Sequence, residues 1–191
     1  VWGVDGELTR RTGVSFTEPP PRWDAAATAP FPAFRDRPPL ARLGEAHVMN
    51  PYLVEPDPAN WWKGGDDLSA TLWLGETPDA WVLVAEVRDY DHHPGTDGGD
   101  HAELAIRSVQ GGDIERQRNT AAQRDEADGV TWYRFVIDKT DAPLLLNLRI
   151  ADRDGDLLKQ WLRWKPGFDP DHPRPATWHR LVGIPGTEES E

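Results

Sequence analysis

The chain contains no cysteine and a single methionine among its 191 residues. The missing cysteine excludes a disulfide framework, a thiol nucleophile and thiolate metal sites. Long apolar runs are also missing: none approaches the roughly 20 residues that a membrane-spanning helix needs. Positive charge is scarce, with 21 Lys and Arg against 33 Asp and Glu, giving a net charge of -12. Such a field repels phosphate backbones and anionic lipid, so neither nucleic acid nor membrane is an expected partner. Strongly acidic polysaccharides are disfavoured for the same reason, unless arginines gather locally to offset the field. Catalytic signatures are absent too, with no G-x-S-x-G, no H-E-x-x-H and no phosphate-binding glycine loop. Two carboxylates can hydrolyse a glycosidic bond, but among 33 acids no pair stands out. The expectation is a protein that is not an enzyme.

What the chain does have is alternation and tryptophan. Leu68, Ala70, Leu72 and Leu74 share one parity, and Val82 and Val84 oppose Trp81, Leu83, Ala85 and Val87. Ala102, Leu104 and Ile106 alternate with His101, Glu103 and Arg107, and Leu144, Leu146, Leu148 and Ile150 with Leu145, Asn147 and Arg149. Strand side chains alternate sides, so these sets predict neighbouring strands laid on a core. Many short strands and no long amphipathic helix predict an all-β, two-sheet antiparallel β-sandwich. Residues 1–45 are proline-rich with scattered aromatics, which reads as an irregular arm or linker packed on the sandwich. The sandwich spans 46–184, and 185–191 reads as a disordered tail. A chain starting at Val1 with no charged leader and no apolar h-region reads as a processed or excised piece.

Four stretches carry a family resemblance. They are Asp67-Leu68-Ser69-Ala70 leading to Trp73, Val87-Arg88-Asp89-Tyr90-Asp91-His92-His93, and Gly99-Asp100-His101-Ala102-Glu103-Leu104. The fourth is Asp152-Arg153-Asp154-Gly155-Asp156 running on to Trp161-Leu162-Arg163-Trp164 and Trp178-His179-Arg180-Leu181. In this order, over about residues 45–184, they resemble the family 9 carbohydrate-binding modules and the wider DOMON-like sandwiches. The resemblance implies a jelly-roll-type sandwich, often attached to a glycoside-processing enzyme and often carrying structural calcium. It also implies an extracellular or periplasmic location. Asp97 stands where the sugar-binding members carry an aromatic ahead of the strand of Glu103, so half of their sugar platform does not carry over.

The expected function is therefore a non-catalytic module binding a polysaccharide or oligosaccharide beside a neighbouring catalytic domain. The alternative is an accessory sandwich without a glycan site, its tryptophans packed against that neighbour. Trp62 and Trp161 are the expected stacking faces, because an indole offers a flat apolar surface with one donor. Glu103, Arg107, Asn147 and Arg149 project opposite their strands' aliphatic rows and can pair with adjacent hydroxyls. By parity Trp164 belongs to the core. For metal, the hard oxygens of Asp89, Asp91, Asp97 and Asp100 around one turn suit Ca2+, the alternative being a polar turn held by its own side chains. Zinc on His92, His93 and His101 is weaker, since adjacent strand residues point apart. Asp152, Asp154 and Asp156 read as a tight hairpin turn. A haem-type cofactor would require Met49 with a histidine as axial ligands.

Overall fold

Period-two alternation becomes eleven antiparallel strands in the computed structural model, which describes residues 30–49, 63–89, 99–119, 123–125, 129–154, 157–165 and 174–181. The strands are β1 (Ala41–Leu43), β2 (Val48–Met49), β3 (Leu68–Glu76), β4 (Ala80–Asp89), β5 (His101–Ser108) and β6 (Gly111–Asn119). They continue with β7 (Gln123–Asp125), β8 (Val130–Asp138), β9 (Leu144–Asp154), β10 (Leu157–Arg163) and β11 (His179–Leu181). One sheet runs β1-β3-β4-β8-β7. The second runs β2-β10-β9-β5-β6, with β11 paired to the first half of β9. No α-helix occurs among the described residues, only short 3-10 turns. This is the two-sheet β-sandwich that the alternation predicts.

The core lies between the sheets. Leu72, Leu83, Val87, Tyr133 and Phe135 of the first meet Leu104, Leu146, Leu148, Ile150 and Leu162 of the second. Trp164 joins them, as its parity predicts. The first sheet is buried on its other face as well. Phe34 is fully covered against Trp73, Val82, Val84 and Trp132, and Phe31 stacks on Trp132 at 5.5 Å. Glu86, a charged residue on that same outer face, is buried there. Its carboxylate accepts a 2.6 Å hydrogen bond from Arg35 Nε, so the charge is covered with its partner. The sheet also begins earlier than the sequence boundary at residue 46, because β1 pairs with β3 through Leu43 and Ala70.

At the β11 edge, His179 stacks on Trp164 with ring centroids 4.7 Å apart. Burial, helped by the nearby Lys165 charge, lowers its pKa from 6.5 to about 4. The folded state therefore favours the neutral ring, and the unfolded chain binds more protons between these two values. This contribution is complete above about pH 6.5 and is lost as the pH falls toward 4. His179→Phe keeps the stack and removes the titration. Denaturant melts at pH 7 and pH 4 should show the wild type losing roughly 3 kcal/mol more than the variant.

Candidate functional site

The outer face of the second sheet is where the sequence places its polar candidates. Cross-strand register sets Glu103 beside Arg149 and Arg149 beside Arg163 in one row. Strand residues directly opposite share a face, so these side chains lie side by side. Arg149 donates through Nε and Nη2 to one Glu103 oxygen, at 3.1 and 2.6 Å. Its guanidinium also lies 4.0 Å from the centre of a Trp161 ring, and His101 meets that indole edge-on at 5.6 Å. Burial lowers the pKa of His101.

Trp161 is thus not the open platform expected of it. It is only 9% exposed, and Arg149 occupies a ring face where a sugar would stack. Glu103 and Arg149 are brought together as expected, but as a buried pair engaged with each other rather than as free hydroxyl partners. Asn147 is fully buried, and both ends of its carboxamide bond to the backbone of Lys165, each at 2.9 Å. It anchors the chain leaving β10 instead of facing solvent. Trp62, the other expected stacking face, lies outside the described residues.

Arg107 has a different setting. It lines an open cleft of about 640 Å³ with Gln110, Leu145, Pro175, Trp178 and Arg180. Its Nε is buried and has no hydrogen-bond partner. Leu145 pairs with Arg107 on one side and with Arg180 on the other, so the two arginines flank an apolar floor. Neighbouring strands lie about 4.8 Å apart, which puts the two Cα atoms roughly 10 Å from each other. Trp178, Ala105, Leu145 and Ile114 form the apolar cluster beneath. The rim comes from the β5–β6 hairpin, where Gly111 takes a φ of 109°, a conformation that favours glycine. Sequence reading did not single out Arg180; its parity with Trp178, two residues before, is the signal that would have found it.

A second cluster sits at one end of the core. Asp89, Asp100 and Asp152 each offer a carboxylate oxygen, all within 4.8 Å of one another, and all three are buried. Each continues an inward row: Asp89 follows Val87, Asp100 precedes Ala102, and Asp152 follows Ile150. Gln160 continues the row of Leu162 and Trp164, and its Nε2 donates to Asp152 at 2.8 Å. Its Oε1 is buried without a partner. At an effective dielectric of about 20, two full charges at that separation repel by roughly 3 kcal/mol, so the arrangement suits a cation. Oxygens each about 2.4 Å from a central ion are at most about 4.8 Å apart, and an all-oxygen set fits calcium best. Of the residues expected to hold metal, Asp89 and Asp100 meet here, while Asp91 and Asp97 lie outside the described residues, as do His92 and His93. Asp152, read as part of a hairpin turn, belongs to this cluster instead.

No protein-family model matches this chain, and no curated protein matches it. Among solved structures it is similar to a family 9 carbohydrate-binding module from Caldicellulosiruptor kristjanssonii, solved in complex with cellotriose. The identity is 11% and the TM-score 0.44, over 65% of this chain and 79% of that one. Such a likeness reaches the sandwich at most and assigns no family.

Proposed function

We propose that this chain is a non-catalytic carbohydrate-binding module, taking an oligosaccharide or polysaccharide on the outer face of its second sheet. The observation that supports this reading is the cleft beside Leu145. There an apolar floor, a tryptophan and Arg107 with an unsatisfied buried Nε converge in a concavity of about 640 Å³. Ligand sites commonly combine such an apolar lining with a few convergent polar groups. The reading includes an extracellular or periplasmic setting beside a neighbouring catalytic domain. It also includes a structural Ca2+ held by Asp89, Asp100 and Asp152, with Gln160 as a further oxygen donor. The ion would tie the end of β4 to β5 and β9 and so hold the two sheets together at that end.

Calorimetric titration with a panel of oligosaccharides tests the glycan reading. Trp178 is covered almost entirely, so stacking contributes little and affinities on the order of µM to mM are expected. Gln110→Ala at the rim should weaken binding, whereas Trp161→Phe, away from the cleft, should leave it unchanged. Binding that fails with Trp161→Phe but persists with Gln110→Ala would move the site to the Arg149 region.

A further inference from the structure

The cleft has a charge character that the composition of the chain does not suggest. Nine residues line it, two of them arginines and none acidic. Three cations elsewhere are matched: Arg35 bonds Glu86, Arg149 bonds Glu103, and Lys139 lies 3.1 Å from Glu76. Arg107 and Arg180 have no ion-pair partner among the described residues, in a chain with a net charge of -12. Arg107 Nε is buried without a hydrogen-bond partner, so the protein itself leaves part of this guanidinium's donor capacity unused. An anion is the acceptor that also meets the second guanidinium.

We infer that the cleft recognises a negatively charged sugar, with Arg107 and Arg180 clasping the carboxylate of a uronic acid unit whose ring lies over Leu145. This rests on the glycan reading above and names the class of glycan. Guanidinium groups bind carboxylates through paired, charge-assisted hydrogen bonds, and two of them on either side of one floor fix the orientation of the ring. The acidic surface elsewhere opposes approach, but at physiological ionic strength charges are screened beyond about 8 Å. Inside the cleft the nearest charges are the two arginines, so the local field governs. Gln110 and Ser108 at the rim supply neutral donors and acceptors for the hydroxyls.

The test compares a uronic acid tetrasaccharide with the same tetrasaccharide reduced to primary alcohols, alongside the neutral panel. The acidic form should bind about tenfold more tightly or better, and its advantage should shrink as salt rises. Arg107→Gln and Arg180→Gln should each remove most of that advantage, weakening the acidic form far more than the reduced one. Arg180 is exposed, so its variant tests the inference without threatening the fold. Equal affinity for the two forms, binding confined to neutral panel members, or an acidic preference surviving both substitutions would overturn the inference and leave the glycan reading standing. Failure of every sugar, acidic and neutral, would overturn both.

Discussion

Adding calcium to metal-free protein is expected to raise its melting temperature by roughly 5–10 °C at a hundredfold excess over the dissociation constant. The reason is electrostatic. Asp89, Asp100 and Asp152 place three carboxylates within 4.8 Å of one another at 5%, 0% and 2% exposure, where water screens them poorly. Without a cation the folded state carries their mutual repulsion. With one, the same oxygens become ligands that the unfolded chain cannot assemble. Asp100→Asn sharpens the expectation, because its effect has opposite signs in the two conditions. An asparagine oxygen can still accept from the Arg153 amide, which now bonds Asp100 Oδ1. Removing one charge of three should therefore stabilise the metal-free protein and weaken the calcium response. A wild-type melting curve identical with calcium and with chelator would remove the ion from the account.

Arg149→Ala should destabilise the protein by about 3–5 kcal/mol. The substitution leaves Glu103, 7% exposed, without the two hydrogen bonds that now compensate its burial. It also removes the cation from the face of Trp161. Replacing both partners together, as in Glu103→Leu with Arg149→Met, should recover most of that loss, since a buried pair is often matched by apolar residues of similar size. Denaturant unfolding of the two single variants and the double variant measures the coupling directly. A loss in the double variant equal to the sum of the two single losses would mean that the pair is not coupled, against the geometry seen on the outer face.

Much of this fold is legible because period-two alternation is a local property. Leu68 to Leu74, Ala102 to Ile106 and Leu144 to Ile150 mark their strands without reference to anything distant. The polar strand β6 was only half legible: Gly111–Asn119 carries one large aliphatic, Ile114, because an edge strand with mostly exposed side chains needs no apolar row. The site was less legible, since it depends on register between strands far apart in the chain. Glu103 and Arg149 were both identified, but that they neutralise each other follows only from β5 lying beside β9. Asp152 looked like a turn residue because its neighbours Asp154, Gly155 and Asp156 are turn formers. Its parity with Ile150, which turns it inward, was the overlooked signal. Burial of Trp161 was not readable at all, because alternation says which face a residue takes and not what covers that face.

The proposed binding of a glycan in the cleft over Leu145 is open to one direct measurement. Amide chemical shifts recorded during titration with the uronic acid tetrasaccharide test it directly. Shifts are expected to concentrate at residues 107–111, 145 and 175–180, with the first sheet around Val84 and Trp132 unmoved. Shifts confined to the first sheet, or none while the sugar is shown to bind, would contradict it.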